Sequence, residues 1–165
     1  MRHPLSETDR RPHLAPLVIG YGNRMRGDDA AGPLAIDVLR ESGARGLRLD
    51  VFEGDGSALI DRWGATDTVV MIDAVVSGLA SGEVRVFTPG DLGAGIRCVS
   101  THGLGLIEAV RLAKAIGRMP AQLWIVGVEA ERFELGSEPS PAVRRGAHDA
   151  ARIAIERWGG GPCTS

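Results

Sequence analysis

Short apolar runs alternate along the chain with segments whose apolar positions recur every three or four residues. That alternation predicts a parallel or mostly parallel sheet with helices on both faces. LVIG, from Leu17 to Gly20, reads as a first buried strand, and DAAGPLAIDVLRES follows with a helical stripe of Leu34, Ile36, Val38 and Leu39, stopped by Gly43. LRLDVF (Leu47 to Phe52) alternates as a second strand, and SALIDRW reads as a short helix capped by Ser57. TVVMIDAV (Thr68 to Val75) is the most apolar strand, while EVRVFT (Glu83 to Thr88) alternates as an edge strand does. A helix is expected from Gly103 to Ile116, a fifth strand from Gln122 to Val128, and a closing helix from Pro141 to Trp158 with Ser140 at its cap. The resulting fold class is α/β, a three-layer αβα sandwich on a five-stranded, mostly parallel twisted sheet. Residues 1–15 read as a lead-in, 16–158 as a single domain and 159–165 as a tail.

Composition narrows the function classes. The chain has 165 residues, 44% hydrophobic and 24% charged, which is globular in both respects. Nothing approaches the roughly 20 consecutive apolar residues of a membrane span. Nineteen basic residues against 21 acidic ones leave a net charge of −2, with no basic patch of the kind nucleic acid requires. Cys98 and Cys163 are far apart and form neither a disulfide framework nor a CxxC pair, which points to a reducing cytoplasm. The segment MRHPLSETDRRPHLAP lacks an apolar signal core, so no secretory signal is expected. Without heptads or long apolar stripes, a monomer is the expected state.

Ligands of open α/β sheets collect beyond the carboxyl ends of the strands, so polar residues at those ends carry the candidate chemistry. Three sets qualify: Gly20-Tyr21-Gly22-Asn23 with Asp28-Asp29 after the first strand, Asp73 ending the third strand, and His102 before the third helix. With the first and third strands adjacent, Asp29, Asp73 and His102 can converge. Two carboxylates and an imidazole suit a divalent transition metal, or a general acid/base pair with an orienting imidazole. Each also has a structural use: Asp28 or Asp29 as negative charge at a helix start, and His102 as a cap. Asp73 is harder to assign to structure alone, because a carboxylate ending a buried strand loses its hydration. Glu129 reads as a solvated loop carboxylate, with support of the site as its second reading, and Cys98 as a spectator thiol. The glycine loop is neither GxGxxG nor GxxxxGK[ST], so no nucleotide is expected. GxSxG and HExxH are both absent from the sequence.

VIGYGNRMRGDDAAGP (Val18 to Pro33), VVMIDAVVSG (Val69 to Gly78), STHGLGLIEAV (Ser100 to Val110) and VGVEAERFELGSEPSPAV (Val126 to Val143) occur in the order and spacing of one family. In these blocks the chain resembles the hydrogenase maturation proteases, endopeptidases that finish the large subunit of nickel–iron hydrogenases. The resemblance implies a five-stranded αβα domain and a site of Asp29, Asp73 and His102 that binds nickel already inserted in the precursor. It implies an aspartate-dependent hydrolysis of one peptide bond near the precursor's C-terminus. Asn23, Asp28, Glu53, Asp55 and Glu129 are the expected supporting or substrate contacts. Three positions depart from the family pattern: Ala30 where relatives have Gly, Gly103 after the site histidine, and Glu53-Gly54-Asp55-Gly56-Ser57 where a carboxylate precedes Gly-Gly-Thr. The alternatives are a nickel-binding chaperone that cuts nothing and a receiver-type signalling module, the latter opposed by the absence of Lys at the end of the fifth strand.

Overall fold

A computed structural model describes residues 14–92, 95–98 and 105–160. The strands are β1 (Leu17–Tyr21), β2 (Arg48–Phe52), β3 (Thr68–Val76), β4 (Val84–Phe87), β5 (Arg97–Cys98) and β6 (Gln122–Glu129). The helices are α1 (Ala31–Glu41), α2 (Gly56–Leu59), α3 (Leu106–Ala115) and α4 (Pro141–Trp158). The sheet runs β2-β1-β3-β6-β4, with the short β5 paired to β3. β2, β1, β3 and β6 run parallel to one another, whereas β4 lies antiparallel to β6 on the outer edge, as its alternating pattern anticipates. The expected αβα class and its five main strands are therefore present.

Continuous apolar runs make β1 and β3 central, because a strand covered on both faces has no solvated side to spend polar residues on. Alternation then divides the core. Ile19, Met71 and Ile125 face one side, where Leu59 of α2 and Leu106 and Ala109 of α3 cover them. Val18, Val70, Ile72 and Val126 face the other, under α1 and α4. Each fully buried Leu, Ile or Val contributes about 1.5–3 kcal/mol relative to exposure, so these two layers are the main source of stability. α1 comes unusually close to the sheet. A β-carbon at Gly32 would stand 2.3 Å from the Ile72 carbonyl oxygen, and one at Gly20 would stand 2.3 Å from the Gly32 oxygen.

Three sequence expectations need correction, and one falls outside the described residues. β5 is a sixth strand, antiparallel to β3 across Val75 and Val76, and its two residues are too short to leave a period. The helix expected from Asp29 begins instead as a 3-10 turn over Gly27–Ala30, and the α-helix starts at Ala31. The cap of α2 is Asp55, whose side chain accepts from the Ser57 amide, and not Ser57 itself. α3 is described from Leu106, so the expected start at Gly103 lies outside the described residues, as do residues 1–13 and 161–165. The α4 expectation holds to the residue: Ser140 is its N-cap, its hydroxyl accepting from the Val143 amide, with Pro141 at the first position.

Candidate active site

β1 and β3 are adjacent and parallel, so their carboxyl ends open onto the same rim. The chain turns off to β2 on one side of β1 and to β3 on the other, the kind of switch point at which α/β sheets bind ligands. Asp73 lies near the end of β3, fully buried, in register with Gly127 of β6. By alternation it shares the face of Met71 and Val75, the face that α3 covers. A side chain at residue 127 would strike Val75 and Phe87, so a glycine keeps this end of the sheet flat beside Asp73.

Asp29 lies in the 3-10 turn after β1 and is 2% exposed. The Asn23 amide donates to its Oδ2 at 3.1 Å. Asn23 in turn accepts the Met25 amide at its own Oδ1, 2.8 Å away, which folds the loop back on itself. Gly22 has φ 140°, and a β-carbon there would come within 2.0 Å of the Asp29 carbonyl oxygen. A glycine is thus required for the loop to bring Asp29 over the end of β1.

Asp28, the next-door carboxylate, points elsewhere. Side chains one residue apart in a 3-10 turn diverge by about 120°, which sends Asp28 to the segment after β6. Its Oδ2 accepts the Glu131 and Arg132 amides at 3.1 and 3.0 Å, and its Oδ1 accepts the Ser140 amide at 2.7 Å. The Asp28 amide returns a bond to the Arg132 carbonyl at 2.8 Å, and the Gly27 amide donates to the Ser137 carbonyl. Burial pushes the Asp28 carboxyl up, but the amides of Ser140, Glu131 and Arg132, aided by the Ser140 hydroxyl, outweigh it and hold the group below its ordinary value. Asp28 therefore clamps the 131–140 segment beside the site.

The remaining candidates are placed as follows. Glu53 is exposed and its Oε1 lies 3.3 Å from Nε of Arg24, whose two terminal nitrogens grip Asp37. Asp55 caps α2. Between them the Tyr21 hydroxyl donates to the Gly54 carbonyl, and the Tyr21 ring stacks on Phe52 with centroids 6.0 Å apart. Glu129 is not the solvated carboxylate expected: it is 3% exposed, and its oxygens accept the Ser77 amide, the Gly78 amide and the Ser77 hydroxyl at 2.8, 3.0 and 2.6 Å. His102 lies outside the described residues. Among the described residues no three His, Cys, Asp or Glu side chains group to hold a metal ion, so the described part of the expected donor set is the two carboxylates. Chemically, two buried carboxylates on one rim can ligate a divalent cation or exchange protons with a water.

The chain is a three-layer α/β domain with aspartates buried after β1 and near the end of β3, and its sequence assigns it to a family of peptide hydrolases. The family profile described as "Hydrogenase maturation protease" matches residues 48–157, well over half of the chain, and the chain belongs to that family. It is 29% identical over 147 residues to the hydrogenase expression/formation protein HupD of Thiocapsa roseopersicina, covering 85% of this chain and 66% of the relative. This chain thus spans about two-thirds of that relative's length. Among solved structures it is similar to the [NiFe] hydrogenase maturation protease HybD from Thermococcus kodakarensis, with a TM-score of 0.69, 28% identity, and coverage of 88% of this chain and 99% of that one. The hydrogenase maturating endopeptidase HybD from E. coli shares the fold, with a TM-score of 0.67 at 22% identity, covering 87% of this chain and 91% of that one.

Proposed function

We propose that this protein is the endopeptidase that removes a C-terminal extension from the nickel-loaded precursor of a nickel–iron hydrogenase large subunit. The observation that carries this reading is the pair of buried carboxylates, Asp29 and Asp73, at adjacent strand ends in a hydrogenase maturation protease. In this reading nickel arrives as part of the substrate. Asp29, Asp73 and His102 supply two oxygens and a nitrogen to it, and a precursor without metal has nothing for those groups to grip. Once bound, nickel can polarise a carbonyl or acidify a water. The protein's own share is to anchor the cargo, to hold the scissile bond against the rim and to accept a proton at a carboxylate.

No helix among the described residues is long and apolar enough to cross a membrane, and we place the reaction in the cytoplasm, carried out by a monomer in transient complex with its precursor. No nucleotide takes part. The test is the intact mass of the nickel-loaded large-subunit precursor from the same source, before and after incubation with the protein. Loss of one C-terminal peptide, absent with metal-free precursor, is expected. Asp73→Asn is expected to abolish the loss. An unchanged mass with nickel bound would reduce the protein to a nickel-binding chaperone, and full cleavage by Asp73→Asn would remove Asp73 from the mechanism.

A further inference from the structure

Three hydrogen bonds close a ring in the loop that carries Asp29. The Asn23 amide donates to Asp29 Oδ2 at 3.1 Å, the Asp29 amide donates to the Arg26 carbonyl at 3.1 Å, and the Arg26 amide donates back to the Asn23 carbonyl at 3.2 Å. The Asp29 carboxylate is the one side chain in this ring, and Asn23 supplies both ends of the join. The ring is also tied to its surroundings: the Gly22 amide donates to the Phe52 carbonyl at 3.2 Å, and the Gly27 and Asp28 amides donate to the Ser137 and Arg132 carbonyls at 3.1 and 2.8 Å. A β-carbon at position 22 would stand 3.4 Å from Asp29 Oδ1, so the carboxylate sits beside the place that a side chain there would fill.

A further contact of Asn23 holds the shape of the ring. Its Oδ1 accepts the Met25 amide at 2.8 Å, a side-chain turn that fixes residues 23–25 in the conformation in which the Asn23 carbonyl meets the Arg26 amide. The Asn23 NH2 donates to none of the described residues, so the oxygen is the half of the group that the loop uses. This turn lies at the surface, with Met25 63% exposed, and an amide released there is met by water. Breaking the turn therefore costs the fold little. What it removes is the conformation that keeps the Asn23 amide on Asp29 Oδ2.

The groups hydrogen-bonded behind a metal-binding side chain set its orientation, and their loss weakens the grip without touching the metal. We propose that Asn23 is the positioning residue of the nickel grip: its side-chain oxygen closes the turn, the turn presents the Asn23 amide to Asp29 Oδ2, and that amide holds the carboxylate in one orientation over the end of β1. Asn23 itself contacts neither the nickel nor the scissile bond. This rests on the endopeptidase reading, because there nickel reaches Asp29 as part of the precursor.

The test uses the full-length protein and three readouts: binding of Ni2+ alone by calorimetry, cleavage of nickel-loaded large-subunit precursor by intact mass, and the unfolding midpoint in urea. Asn23→Ala is expected to weaken nickel binding and to raise KM by about 10–100-fold, with kcat within about twofold of wild type and the urea midpoint in place. Asn23→Ser keeps a neutral oxygen that accepts the Met25 amide and is expected to recover most of both losses. Nickel binding and KM unchanged in Asn23→Ala would overturn the proposal, as would a loss confined to kcat. A loss that follows a fallen urea midpoint and that Asn23→Ser does not recover would reduce Asn23 to a loop stabiliser. If wild type binds nickel but leaves the precursor uncut, the endopeptidase reading fails; the positioning role then stands only if Asn23→Ala still weakens nickel binding, and falls otherwise.

Discussion

Two consecutive aspartates carry opposite duties here, and charge alone does not separate them. Asp29 overhangs the end of β1, its Oδ2 receiving the Asn23 amide, whereas Asp28 spends both oxygens on the backbone of the 131–140 segment. Replacing Asp28 with Ala leaves three backbone amides without their acceptor, that of buried Ser140 among them, and the folded state is expected to lose about 1–3 kcal/mol, read by urea unfolding. The pH dependence has a definite sign. The Asp28 carboxyl is lowered from 3.8 in the folded chain, so its ionisation favours folding above that pH. That contribution is lost as the pH falls below 3.8 through the folded-state value, and the stability gap between wild type and Asp28→Asn is expected to narrow over that window. A gap that stays constant down to pH 2 would remove the clamp from the account of stability.

Among the elements, α1 and α4 make the sharpest predictions. Gly32→Ala would push a β-carbon against the carbonyls of Ile72 and Tyr21, forcing α1 off the β1–β3 pair. Overpacking of this kind costs about 1–3 kcal/mol, and because the 3-10 turn bearing Asp29 leads directly into α1, cleavage is expected to fall as well as the unfolding midpoint. Ser140→Ala removes the α4 cap and is expected to cost about 1 kcal/mol while leaving kcat in place, as chemical denaturation beside a cleavage assay would show. The elements were legible in proportion to their length and period. β3 and β6 are long apolar runs and α4 has both a cap and a proline start, so pattern alone located them. β5 has two residues, and the 3-10 turn is a local tightening, so neither leaves a readable period. Asp29 and Asp73 were legible because strand ends are where α/β sheets bind. The roles of Asp28 and Glu129 were not, because the amides they collect lie up to 112 and 52 residues away along the chain, and sequence spacing carries no trace of such partners.

Across the whole molecule, the rim joins segments from both ends of the chain. The Gly136 amide donates to the Met25 carbonyl at 2.7 Å, and Nε of Arg26 donates to the Phe133 carbonyl, so the loop after β1 and the segment after β6 form one continuous border. Met25 and Leu135 on that border are 63% and 77% exposed, two large apolar side chains left open to solvent beside the buried carboxylates. The double substitution Met25→Ser with Leu135→Ser is expected to leave stability within about 0.5 kcal/mol and to weaken precursor binding, as titration of the nickel-loaded precursor would record. Binding equal to wild type would place the docking ground elsewhere.

The Asp28 clamp also sets a timetable. Its acceptor side emerges early in synthesis, but the donors at Glu131, Arg132 and Ser140 are made more than a hundred residues later. A nascent chain that has released only its first two-thirds already carries Asp29 and Asp73, yet β6 and the border are still missing. Closing so long a loop is slow and occurs near the end of folding. A chain halted before Glu131 holds an Asp28 with no donors to meet it, and the border beside the two buried aspartates has nothing to fasten it.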